Sequence, residues 1–136
     1  MSTVNILIVI DVGLALSQQN LGNCVYMMDT NRYLGSNGAG GSELQTVCVN
    51  GQRVVWTVVS IDPNLPVAIG GFSSNGSYPA AYPNMINPTA VPDTGGMVWG
   101  GNVNQANTQA QYSVNLLVGD DNTPMSFDPF ITATNQ

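Results

Sequence analysis

"ELQTVCVNGQRVVWTVVSI", residues 43–61, decides the fold class. Both halves are rich in β-branched and aromatic residues and alternate in polarity, as half-buried strands do. In the first half Leu44, Thr46 and Cys48 fall on one side, and Glu43, Gln45, Val47 and Val49 on the other. In the second half Trp56 shares a face with Val54 and Val58 and belongs to the core. Asn50-Gly51 stands between them, two residues that tolerate the positive φ a tight hairpin requires. The expectation is a hairpin in which Val49 faces Gln52, Val47 faces Val54 and Cys48 faces Arg53. Glu43 then faces Val58, out of reach of Arg53. Arg53 is therefore expected to act as a structural anchor by meeting a carboxylate of another segment, with Asp62, Asp120 and Asp128 as candidates.

Further strand signals lie on both sides of this stretch. They cover 4–12, 23–30, 67–72, 97–103, 110–119 and 124–133, and a helical turn or two fits 12–21. Residues 73–96 carry Pro79, Pro83, Pro88 and Pro92 without periodicity. Short strands punctuated by turn residues argue an all-β chain. The expected architecture is a single-domain antiparallel β-sandwich spanning 1–136, jelly-roll or Ig-like, with a long Pro-rich loop as the natural place for a binding surface. The last strand, "PMSFDPFITA" (124–133), holds Asp128-Pro129 in its middle. Proline offers no ladder donor and a carboxylate is costly in a core. The pair is expected to mark a bulge or edge where the strand changes partner, with Pro129 blocking further strand addition.

Charge is scarce. Of 136 residues only 7% are charged, against about 25% in ordinary domains. Arg32 and Arg53 are the cations, against eight carboxylates, for a net charge of −6. Two arginines without a lysine make no phosphate-binding footprint, so neither nucleic acid nor an anionic membrane is an expected partner. No stretch approaches the roughly 18 apolar residues of a membrane helix. The start, "MSTVNILIVIDVG", lacks the positive segment of a signal peptide, which points to the cytoplasm. There Cys24 and Cys48 stay reduced as buried small hydrophobes; pairing them needs neighbouring strands and an oxidising compartment. A surface built from Asn, Gln, Ser, Thr and Gly resists self-association weakly, and it also suits neutral polar partners such as sugars.

Without histidine there is no Ser-His-Asp triad, no Cys-His pair and no ordinary zinc site, and without lysine no Schiff base or P-loop. The expectation is a protein without catalysis or a resident cofactor. Asp120, Asp121 and Asn122 offer oxygens of the kind Ca²⁺ takes, and equally read as turn residues. Tyr78, Tyr82, Trp99 and Tyr112 are candidate platforms for a neutral glycan, and Asp128 a candidate acceptor for its hydroxyls. Simple loop packing is the competing reading for the loop tyrosines.

The order of these pieces resembles the PixA/AidA family of bacterial inclusion-body proteins. The likeness lies in the opening "ILIVIDV", the strand "YMMDT", the Gly-rich lead into "ELQTVCVNGQRVVWTVVSID", and "QYSVNLLVGDDNTP" before "FDPFITA". That family leads its central strand with a V-G-D-x-V-R-W-like hairpin, and Asn50 departs from its acidic pattern. It ends its domain with an aromatic-D-P-x-I segment, matched by Phe127 to Ile131. The 73–96 loop shows no match. The resemblance implies a β-sandwich without established catalysis that accumulates in the bacterial cytoplasm in dense or crystalline inclusions, in programmes tied to quorum or host association. Two functions follow as expectations: a homo-oligomerising inclusion protein, or a lectin-like module stored in such bodies.

Overall fold

A computed structural model of the chain describes residues 2–76 and 80–135. β1 (Val4–Ile10) opens the chain and runs into the short helix α1 (Val12–Gln18), whose first turn is capped by the Asp11 carboxylate accepting from Leu14 N. β2 (Val25–Asp29), β3 (Gln45–Val49), β4 (Arg53–Ser60) and β5 (Val67–Ser73) follow. After the irregular middle come β6 (Thr89–Ala90), β7 (Val98–Asn102), β8 (Asn107–Gln111), β9 (Ser113–Val118), β10 (Thr123–Phe127) and β11 (Phe130–Thr134).

These strands make an all-β sandwich. One layer is a five-stranded sheet in the order β2-β1-β4-β7-β6; against it lie two three-stranded sheets, β10-β9-β5 and β3-β11-β8. Pairing is mostly antiparallel, but β1·β4 and β3·β11 are parallel. Ile6, Ile8 and Ile10 of β1 and Val54, Trp56 and Val58 of β4 bury completely or nearly so, on the inward positions their alternation selects. Trp56 is the aromatic centre: its ring lies 4.8 Å from Phe72 and 5.9 Å from Tyr112, and its indole N–H donates to the Tyr112 hydroxyl at 3.1 Å.

The expected hairpin at Asn50-Gly51 does not form. A tight turn is present, closed by Gln52 N donating to Val49 O at 2.9 Å, with φ +92° at Gly51. Positive φ is confined to the glycine, so the turn is not the doubly left-handed kind that folds two strands onto each other. β3 instead pairs with β11, and β4 enters the other layer between β1 and β7. Buried Gln52 holds the crossing: its amide oxygen accepts from Val49 N at 3.0 Å and its amide nitrogen donates to Ser2 O at 2.6 Å.

Asp128-Pro129 marks a change of sheet. The stretch read as one strand is two, β10 paired with β9 and β11 paired with β3 and β8. The stretch 110–119 breaks alongside it, at Tyr112 between β8 and β9. The two breaks are tied together. Tyr112 N donates to Pro129 O at 3.1 Å, Gln111 Nε2 to Asp128 O at 3.0 Å, and the Ser113 hydroxyl to the Asp128 carboxylate at 2.5 Å. Both chains thus pass between the two three-stranded sheets at one corner. Pro129 is buried in that corner, so it does not act as an edge blocker.

Candidate functional site

The described residues expected to form a ligand site are divided: Asp120, Asp121 and Asn122 precede β10 and Asp128 follows it, while Ala81, next to Tyr82, and Asp128 both hydrogen-bond Gln111. Asp120, Asp121 and Asn122 are exposed in the β9–β10 turn, where Asn122 N donates to Gly119 O and Asn122 takes φ +51°. Among the described residues no group of three or more Cys, Asp or Glu side chains is placed to hold a metal ion. Trp99 is half-buried against the core, 5.7 Å from Phe72, and its indole N–H is shared between Ile69 O and Gly96 O. Tyr82 is half-buried against the core as well, and Tyr112 is buried in it beside Trp56, out of reach of a ligand. Tyr78 lies outside the described residues. Asp128 serves the corner. The middle segment is less of a surface than its prolines suggest: Ala81, Met85 and Ile86 are buried in the core.

Arg53 meets none of its three expected carboxylates. It is exposed on the outer side of β4, and its guanidinium lies across Gly100 of the neighbouring strand, where a Cβ would collide with it. Asp62 sits beyond the far end of β4, nine residues or about 30 Å of extended chain away. Cys24 and Cys48 are both buried free thiols. Burial pushes the Cys48 thiol up to about 12, with the Asp29 carboxylate adding to it. Burial raises the Cys24 thiol too, helped by Asp11. These are inert packing thiols rather than reactive ones.

A buried polar cluster went unread in the sequence. Asp29 is only 9% exposed; its carboxylate accepts from Thr46 Oγ1 at 2.7 Å and Asn31 N at 2.8 Å. Asn31 Nδ2 donates to Val47 O, and Val47 N donates to Ser36 Oγ, both at 2.9 Å. Asn37 exchanges backbone hydrogen bonds with Gln45, and Gln52 occupies both polar groups of Val49. The outward ladder groups of edge strand β3 are therefore met from Gln45 to Val49. Other edges are partly closed: Gly40 N donates to Met27 O on β2, Gly96 and Trp99 take both groups of Ile69 on β5, Ala81 N donates to Gln111 O on β8, and β10 carries Pro124. Such edges resist strand addition.

The outer face of the five-stranded sheet is the feature that stands open. Its outward positions read Tyr26 and Met28 on β2, Asn5, Leu7 and Val9 on β1, Arg53, Val55, Thr57 and Val59 on β4, and Val98, Gly100 and Asn102 on β7; the register sets Leu7 between Met28 and Thr57, and Thr57 beside Val98. Tyr26 is 46% and Met28 54% exposed, and Leu7, Val9, Val55, Thr57, Val59 and Val98 are half-buried. Outward positions of a sheet that faces water are ordinarily polar, yet seven of these twelve carry apolar or aromatic side chains, and all seven lie between Asn5 and Arg53 at one end of the strands and Ser60 at the other. A shallow hollow of about 350 Å³ lies between Asn5, Leu7, Met28 and Thr57. A second, of about 380 Å³, lies at the end of β4 among Val59, Leu65, Pro66 and Met97. Arg53 is the charge on these outward positions, and none of them is a carboxylate.

Comparison with known proteins agrees with this fold. The model of a domain of unknown function, DUF8788, matches residues 2–124. Among solved structures, the chain is similar to the inclusion body protein PixA from Burkholderia cenocepacia J2315. The match has a TM-score of 0.71 and 15% identity, and covers 98% of this chain and 96% of that one. No curated protein matches. The chain belongs to the DUF8788 family, and the likeness to PixA read from its sequence holds at the level of fold.

Proposed function

We propose that this DUF8788 protein is a non-enzymatic cytoplasmic protein that self-associates into dense or crystalline bodies. The observation that carries the reading is the uncovered apolar face of the five-stranded sheet, on a molecule of very low charge. A contiguous exposed apolar patch of this kind marks an interaction surface. With few charges of one sign to hold copies apart, concentration favours contact. The inclusion-body protein that shares the fold adds support at the coarse level of class. Of the expected glycan residues that the structure describes, Tyr82 and Trp99 pack against the core and Asp128 accepts from Ser113, so the self-association reading is preferred.

Expression in a bacterial cytoplasm, followed by electron microscopy and infrared spectroscopy of the bodies recovered, tests it. The expected result is compact bodies with native β-sandwich signatures that dissolve to folded protein on dilution. Evenly dispersed protein at high expression, or bodies of misfolded chain, would refute it.

A further inference from the structure

We infer that the occupant of the open sheet face is a second copy of this chain, stacked face to face about a two-fold axis, with Arg53 of each copy paired to Asp62 of the other. The inference rests on the self-association reading and names its surface and register. Three observations carry it.

The first is the closure of the alternatives. The edge of β3 is satisfied by side chains and backbone from Asn31 to Asn37 and by Gln52, and β2, β5, β8 and β10 are partly closed or carry proline. Copies joining at these edges would have to displace these groups, and the remaining edge, β6, is two residues long and offers little to pair with. The face requires no such displacement.

The second is charge. A face free of carboxylates lets two chains of net charge −6 approach without like charges meeting. Arg53 and Asp62 lie at opposite ends of β4. A two-fold stack with strands nearly antiparallel lays the start of one β4 over the end of the other, so each guanidinium meets a carboxylate twice in the dimer. Asp62 is half-buried just past the end of β4, and its Oδ1 accepts from Asn64 N. This supplies across copies the acidic partner that Arg53 lacks within one.

The third is area. Four strands at about 4.8 Å spacing and some 20 Å of length make a patch of roughly 400 Å² per copy, or roughly 800 Å² in total. That is short of the about 1,000 Å² of a durable interface, so the pair is weak when dilute and fills at the concentrations of a dense body. A two-fold stack closes on itself. Growth into bodies then uses other contacts on the amide-rich surface.

Sedimentation velocity on the full chain tests this, with wild type compared with Thr57→Glu at the centre of the face and Met28→Glu at its β2 side. Thermal melts of each dilute variant confirm the fold, and Met28→Glu, at a more exposed side chain, decides if Thr57→Glu melts early. Opposed like charges should shift the association midpoint at least about tenfold to higher concentration. Arg53→Asp and Asp62→Arg should each weaken association, and the double variant should restore it. Face variants that associate as wild type does would overturn the face while leaving self-association standing. Wild type that stays monomeric would overturn both. Failure of the charge swap to restore association would overturn the two-fold register.

Discussion

Substituting Asp128 and Ser113, singly and together, probes the corner on which both three-stranded sheets turn. Ser113 is 7% exposed, and its hydroxyl donates to the Asp128 carboxylate at 2.5 Å. A hydrogen bond to a charged group contributes about 1.5–3 kcal/mol when well buried. Asp128 is half-buried, so water replaces part of the bond and the lower half of that range applies. Asp128→Ala also strands a buried hydroxyl, and its total cost should be about 2 kcal/mol. Ser113→Ala leaves a carboxylate that reaches water and should cost about 1 kcal/mol. If the bond is what couples the sheets, the double variant loses less than the sum, with a coupling of about 1 kcal/mol. Each kcal/mol should appear as a fall of about 4 °C in Tm for a chain of this size. Urea melts of the four proteins give the cycle. Strictly additive losses, or an Asp128→Ala loss below about 0.5 kcal/mol, would show that the corner is held by backbone contacts such as Tyr112 N to Pro129 O alone.

Asp29→Ala should be among the most damaging polar substitutions, at about 2–5 kcal/mol in urea melts, because it leaves Asn31 N and the Thr46 hydroxyl without their acceptor. Arg53→Ala should cost the dilute monomer less than about 1 kcal/mol, as its charge is exposed; a larger loss would restore it as an intramolecular anchor. Alkali should destabilise the fold. The Cys48 thiol titrates near 9.0 when free and is pushed up to about 12 in the fold, so the folded state keeps a proton that the unfolded chain releases. Stability from this source is whole below about pH 9 and falls by up to about 1.4 kcal/mol per pH unit towards 12. Burial shifts Tyr112 upward in the same sense. Urea midpoints from about pH 8 to 11 check the slope, and Cys48→Ala should flatten its first part. Asn31→Ala with Ser36→Ala should uncover the β3 edge and yield fibrous aggregates that bind thioflavin, rather than the compact bodies of the parent.

Strands were legible in the sequence wherever one side meets the core. Alternation placed Val54, Trp56 and Val58 inward, and all three are fully buried. Partners were less legible, because a tight Asn-Gly turn looks alike whether it folds a strand onto its neighbour or sends it to the opposite layer. The difference lies in Gln52, whose amide satisfies Val49 in place of a paired strand, and nothing local in the sequence announces that. Asp128-Pro129 was readable as a break because both residues disagree with a central strand, yet Pro129 proved a buried corner residue instead of an edge guard. Asp29 could have been found: it keeps phase with Val25 and Met27, so alternation sends it inward, and a carboxylate sent inward must find donors. The open face was written in the same strands, in the valines at 55 and 59 that alternate with the core set and face outward. Reading it required knowing that β4 is central and that nothing in the chain covers that side among the described residues.

Sedimentation equilibrium of the unmodified chain, from about 1 µM to 1 mM, decides whether the molecule associates with itself. The expected result is a monomer at the dilute end and a weight-average mass that passes through that of a dimer as concentration rises. A strict monomer of 14.3 kDa across the whole range would contradict it.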